Sequence, residues 1–250
     1  MSTDENETFG RVLALDTATR YQALALIDGD DVLEHLQRRV RFNHGSSLLD
    51  NVSGLLTAHG LALADIDLIS VGVGPGSFTG LRVGLALAKS FARSHDIPIV
   101  GVSSLAALAY PHAQSFRTGI VCPMYDARRS EVYAGVYRRN GRALDTLVED
   151  NTFAPHDIAD QLRTISETEA PVLVVGNAPQ KYDTLRELHA PDLNWETPPI
   201  SVVEPWANGP SGVGVAILGR LTATSRGVDD VAELEPNYIR PTDAELNFEK

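Results

Sequence analysis

Residues 68–84 read Leu-Ile-Ser-Val-Gly-Val-Gly-Pro-Gly-Ser-Phe-Thr-Gly-Leu-Arg-Val-Gly. An apolar run bounded by glycines predicts a buried strand. The pattern after Ser77 is helical and continues to about His95. Strand, glycine loop and helix in that order are the arrangement that cradles phosphates at a helix N-terminus. The details miss the standard patterns. Gly80 is followed by Leu81 and Arg82, where a P-loop needs Lys and then Ser or Thr. Gly72, Gly74 and Gly76 also lack the third glycine of a dinucleotide fingerprint. Two uses stay open: backbone N–H groups with Ser77 and Thr79 offered to an anion, or a loop kept to start the helix and let it approach closely.

Upstream, Val12 to Asp16 is an apolar run ending in an acid, followed by Thr17, Ala18 and Thr19. Gln22 to Ile27 is a second strand, leading into the turn signal Asp28-Gly29-Asp30. Val32 to Val40 alternates poorly and reads as an edge strand. Leu48, Leu49, Val52, Leu55 and Leu56 carry helical spacing, with Asn43 or Ser46 as cap and Gly60 as stop. Downstream, Ile97 to Val102 is a strand and Ser103 to Ala109 a short helix. The order then restarts. Ile120 to Met124 runs toward Asp126, Glu131 to Tyr137 and Ala143 to Val148 follow, and Pro171 to Gly176 is a strand ending in glycine. An apolar helix spans Ser211 to Thr224.

This repeat of order predicts an α/β, two-lobed, actin-like (ribonuclease H-like) fold, each lobe a mixed sheet with flanking helices. Two unrelated α/β units are the alternative. The expected division is an acidic tail over 1–10, lobes over 11–110 and 111–226, and a tail over 227–250. Asp16 and Asp126 fall at equivalent turns, either as a working pair of acids or as a relic that caps turns.

The helix after the loop carries Gly80, Gly84, Ala88 and Ala92 every four residues, a stripe of small side chains on one face. Leu81, Val83, Leu85 and Leu87 cover other faces, so more than one side should be buried. The second cover is either the helix over Ser46–His59 or another protein.

The formal net charge is −12 over 250 residues. Phosphate neutralisation needs Lys and Arg, so contact with RNA is expected through a partner. The single cysteine, Cys122, excludes an internal disulfide and a cysteine metal cluster. The seven histidines include no pair four residues apart, so no helical zinc site is expected. The N-terminus lacks a signal-peptide pattern and no apolar run is long enough to span a membrane, so a cytoplasmic location is expected.

Five segments together carry a resemblance: Leu13–Thr19, Gly74–Arg82, Val102–Leu105, Asp126–Arg128 with Glu131–Tyr133, and Pro236–Arg240. In this order, from Arg11 to Arg240, the chain resembles the TsaB family, formerly YeaZ or glycoprotease-like. The resemblance implies a non-catalytic role in making threonylcarbamoyladenosine in tRNA. It implies a complex with the catalytic paralogue TsaD and with TsaE, and a homodimer when alone. ATP or ADP and magnesium are expected only in the partner complex, and tRNA contact only indirectly. Leu48, Leu49, Val52, Leu56, Gly80, Gly84, Leu87 and Phe91 are the expected partner-binding residues. Asp16, Thr17, Thr19, Gly74, Gly76, Ser77 and Thr79 are expected to form a vestigial phosphate loop. A metal-dependent peptidase and a small actin-like phosphotransferase are the rival readings. The first is disfavoured by the histidine spacing and the second by a single glycine at Gly176–Gln180.

Overall fold

The computed structural model describes residues 9–40, 44–116, 119–188, 199–203 and 209–240. The predicted acidic tail therefore lies mostly outside the described residues, as do Asn43 and the last ten positions of the predicted C-terminal tail.

The strands are β1 (Arg11–Asp16), β2 (Tyr21–Asp28), β3 (Asp31–Arg39), β4 (Leu68–Gly72), β5 (Ile99–Val102), β6 (Ile120–Arg128), β7 (Glu131–Asn140), β8 (Ala143–Phe153), β9 (Val172–Gly176) and β10 (Ile200–Val202). The helices are α1 (His44–Ala58), α2 (Phe78–His95), α3 (Ser104–Ser115), α4 (Pro155–Thr168), α5 (Asp183–Arg186) and α6 (Gly212–Arg226).

The first unit comprises residues 1–103 and 211–236. Its sheet runs β3-β2-β1-β4-β5. β1 pairs antiparallel with β2 and parallel with β4, which in turn pairs parallel with β5. β3 lies at the edge, as its poor alternation predicts, and its outer residues are largely exposed.

Both faces of this sheet are covered, which is why β1 and β2 are near-continuous apolar runs. Leu13, Leu15, Leu24, Leu26, Ile69 and Val71 pack with α1 and α2 on one face. The opposite face has small residues at its centre, with Ala14 opposite both Ala25 and Ser70, and Val12, Ile27 and Leu68 beside them. There α6 approaches closely. The Ser70 hydroxyl donates to the Val215 carbonyl at 2.7 Å. A Cβ on Gly212 would meet the Leu24 backbone, and one on Gly219 the Ser70 side chain.

The second unit comprises residues 104–210 and 237–250. Its sheet runs β10-β9-β6-β7-β8, the same order and the same mix of pairings as the first. Ile120, Cys122, Met124, Val132 and Val136 pack with Ile158, Ala159 and Leu162 of α4. Val121, Tyr125, Tyr137 and Val175 pack with Leu105, Leu108 and Ala113 of α3. Two sheets of order 3-2-1-4-5, each helix-covered, make the predicted two-lobed actin-like fold.

The lobe boundaries differ from 11–110 and 111–226. α3 belongs to the second unit and α6 to the first, so the two helices are exchanged relative to chain order. The physical reason is the small-residue face of the first sheet, which matches the glycines of α6. Residues 227–236, predicted as tail, also pack on the first unit. The Asp229 amide bridges to Ile99 on edge strand β5, its carboxylate accepts the Gly101 amide at 2.8 Å, and Val231 and Leu234 join the core.

Candidate functional site

In the first unit the glycine loop lies against the turn that follows β1. Gly74 has φ +111°, which a side chain would strain. A Cβ on Gly76 would run into the Ala18 carbonyl. The Ser77 amide donates to that carbonyl at 2.6 Å. The Ser77 side chain caps α2 by accepting the Gly80 amide at 3.3 Å. The buried Thr17 hydroxyl donates to the Gly80 carbonyl at 2.7 Å. Asp16 is buried, and its Oδ1 accepts the Ala18 amide at 2.6 Å. The structure thus brings Asp16, Thr17, Gly76, Ser77 and Gly80 together. Thr19 stands apart, its hydroxyl accepting the Tyr21 amide at 3.1 Å, and Thr79 is exposed on the first turn of α2.

The partner-binding set divides. Leu48, Val52, Leu56 and Phe91 are buried in the core of the first unit, and are not surface contacts. Gly80 and Gly84 are buried against Thr17, since a Cβ at either would strike its carbonyl or hydroxyl oxygen. The small stripe therefore lets α2 press on the end of β1. From the expected set, Leu49 remains at 48% exposure, and Leu87 is half-buried. The outer face of α1 carries its own small residues, Gly45, Ser53 and Gly54, and that of α2 carries Ala86 and Ser90. A Cβ on Gly45 or Gly54 would meet nothing.

Polar bonds fix α1 on its sheet. The Gln22 amide group donates to Ser47 Oγ at 3.0 Å, and Asn51 donates to Gln22 Oε1 at 2.6 Å. Arg38 of β3 donates to Asn51 Oδ1 at 2.7 Å.

In the second unit Asp126 holds three donors. Lys181 Nζ lies 2.7 Å from Oδ2, while the Tyr182 hydroxyl (2.8 Å) and the Arg128 amide (3.0 Å) reach Oδ1. Partial burial pushes the Asp126 carboxyl up, but bonds from Lys181, Tyr182 and the Arg128 amide outweigh it and hold it below the usual range. Bonding to Asp126 raises Lys181. The Asn177 side chain accepts the Asp126 amide at 2.9 Å. Asp126 is marked in the sequence by its place after an apolar run, whereas Lys181 and Tyr182 are marked only as a cation and a phenol a few residues beyond the strand that ends at Gly176.

These residues do not fit a magnesium-bound triphosphate. In the first unit the Ser77 amide and the Thr17 hydroxyl are directed at backbone carbonyls, and in the second a lysine ammonium stands against the acid. Among the described residues no cluster of three His, Cys, Asp or Glu side chains is placed to hold a metal ion, and no helix is long and apolar enough to cross a membrane. Burial pushes the Cys122 thiol far up, which leaves it unreactive.

Residues 38–188 match the family model described as TsaD, tRNA N6-adenosine threonylcarbamoyltransferase. The chain is 33% identical over 237 residues to the tRNA threonylcarbamoyladenosine biosynthesis protein TsaB of Bacillus subtilis, covering 95% of this chain and 97% of that one. It is 37% identical over 130 residues to TsaB of Escherichia coli, covering 52% and 56% of the two chains. The structure of YeaZ from Pseudomonas aeruginosa superposes with a TM-score of 0.76 at 24% identity, over 92% of this chain and 99% of that one, and so shares the fold. On the full-length match to the Bacillus protein, the chain belongs to the TsaB (YeaZ) family.

Proposed function

We propose that this chain is a non-catalytic subunit in the threonylcarbamoyladenosine modification of tRNA. It acts by docking on the catalytic paralogue TsaD, with TsaE joining the assembly, and ATP or ADP and magnesium bind only in that assembly. One observation supports the non-catalytic part: two donors where a phosphate would sit, the Ser77 amide and the Thr17 hydroxyl, are directed at the backbone carbonyls of Ala18 and Gly80. The family relationship supports the pathway, since the Bacillus relative is named for threonylcarbamoyladenosine biosynthesis.

The docking face is the outer surface of α1 and α2, centred on Leu49 and Leu87 and flanked by Ser53, Gly54, Ala86 and Ser90. Small residues let a partner helix approach closely around the exposed leucine. The same face accounts for a homodimer when the chain is alone. The test is reconstitution. Chain, TsaD and TsaE together should modify tRNA, the chain alone should turn nothing over, and Leu49→Arg should lose both complex and modification. Peptide hydrolysis or ATP turnover by the isolated chain overturns the reading.

A further inference from the structure

Gly80, Gly84, Ala88 and Ala92 bring α2 close to its sheet, and Leu81, Leu85 and Phe91 are buried beside them. Apolar burial is non-directional, so it holds a helix down more firmly than it fixes the helix along its own axis. Hydrogen bonds to other elements supply the direction. At the first turn the Thr17 hydroxyl donates to the Gly80 carbonyl at 2.7 Å. Further along, Lys89 Nζ donates to the Ala232 carbonyl at 3.1 Å and to the Leu234 carbonyl at 2.9 Å. Lys89 lies on the same turn of α2 as Ala86, Leu87 and Ser90 of the docking face.

The two carbonyls belong to residues 227–236, a strap that follows α6. Asp229 ties the strap to edge strand β5. Its amide donates to the Ile99 carbonyl at 2.9 Å, and its carboxylate accepts the Gly101 amide at 2.8 Å and pairs with Arg226 at 2.7 Å. Asp230 Oδ1 accepts the Ala232 amide at 2.6 Å, and the Leu234 amide donates to the Asp230 carbonyl at 2.9 Å, which closes a single turn. A turn this short leaves its last carbonyls without partners of its own, and such groups attract a cation. Lys89 takes up two of them, with charge-assisted bonds. Val231 and Leu234 pack against the core of the first unit. A Cβ on Gly101 would lie 2.8 Å from Leu234 Cδ1 and 2.7 Å from Val73 Cγ1, so the strap presses directly on β5. α2 is thus tied to β1 at its start and, at its docking turn, to a strap that is itself anchored on β5.

We propose that the strap is a clamp that sets α2 for docking, with Lys89 as the positioning residue. This rests on the reading of α1 and α2 as the docking face and adds what holds that face in shape. Affinity across a face depends on how far its groups are pre-arranged, so residues that never touch the partner change it. Asp229 is such a residue, because its bonds go to Ile99, Gly101 and Arg226 and none goes to α2.

The experiment is a double-mutant cycle on binding to cognate TsaD, measured by calorimetry well below the melting temperature of every variant. Lys89→Met keeps the apolar stem and removes the donor. Asp229→Ala frees the strap from β5, and Leu234→Ala replaces it if that variant does not fold. Each single change should weaken binding about tenfold, and the double variant should bind no worse than the weaker single one, because both free the same strap. Lys89→Arg still donates to both carbonyls and should restore affinity, which a general loss of stability would not explain. Losses that multiply would put Lys89 in direct contact with the partner and overturn the proposal, as would affinities equal to wild type. Amide exchange of the chain alone needs no partner. Lys89→Met should speed exchange over residues 86–95 about tenfold and leave α1 unchanged. Unchanged exchange overturns the clamp. A wild-type chain that fails to bind TsaD, while Lys89→Met still loosens α2, overturns the docking reading itself and is thereby told apart from a failed clamp.

Discussion

The Thr17 hydroxyl donates to the Gly80 carbonyl at 2.7 Å, joining the end of β1 to the first turn of α2 across 63 residues of sequence. Gly84 lies one turn further along α2, where any Cβ would strike the same Thr17 hydroxyl. Gly84→Ala should therefore destabilise the protein by about 1–3 kcal/mol through overpacking. Thr17→Ala removes the donor and should cost about 1–2 kcal/mol. The double variant Thr17→Ala with Gly84→Ala should cost less than the sum, because the first change clears space for the second. Urea unfolding of the four proteins checks this; strict additivity would show that the two residues are not in contact.

Leu49 points away from the core, whereas Leu48 and Val52 are buried within it. Leu49→Arg should leave unfolding free energy within about 0.5 kcal/mol of wild type. It should weaken TsaD binding by about tenfold or more, measured by calorimetry. Val52→Arg should instead unfold the lobe, so circular dichroism separates the two effects.

The spacing of apolar residues in α1 and α2 made both helices legible, and the repeated run ending in an acid made the duplicated sheets legible. The same spacing placed Gly80, Gly84 and Ala88 on one face without saying what that face meets. The answer lies with Thr17, far away in sequence, and no local pattern carries it. The exchange of α3 and α6 was hidden for the same reason. An all-round apolar helix such as α6 declares that it is buried, and only the small residues Ala14, Ala25 and Ser70 on a distant sheet select its partner. At Asp126 the acid was legible from its place after an apolar run, but the lysine that neutralises it comes from beyond β9.

Asp126 contributes to stability with a defined pH sign. Its folded pKa lies below the ordinary carboxylate value, opposed by partial burial and lowered by Lys181, Tyr182 and the Arg128 amide. The contribution is complete above the unfolded pKa near 4 and is lost as pH falls through the lower folded value. Lys181 is raised, so its share is complete below its unfolded pKa and lost as pH rises through the folded one. Asp126→Asn should flatten the acid limb of the stability profile, read from urea midpoints between about pH 6 and about pH 2. An unchanged acid limb would remove the pair from the account.

Cys122 is fully buried in β6 and its thiol is pushed far up by burial, with the Asp150 charge adding to the effect. A thiol reagent should label it at the rate of unfolding and not before. Labelling should rise with urea along the same transition as the circular dichroism signal. Rapid labelling of the native protein would contradict the burial of this sheet.

On the proposed function, α1 and α2 form a docking face on a chain without catalysis of its own. Light scattering of the purified chain, alone and mixed with its cognate TsaD, tests it most directly. A homodimer alone should exchange into a one-to-one complex, and Leu49→Arg should show no such exchange. Absence of any complex, with or without ATP and magnesium, or a complex indifferent to Leu49→Arg, would contradict it.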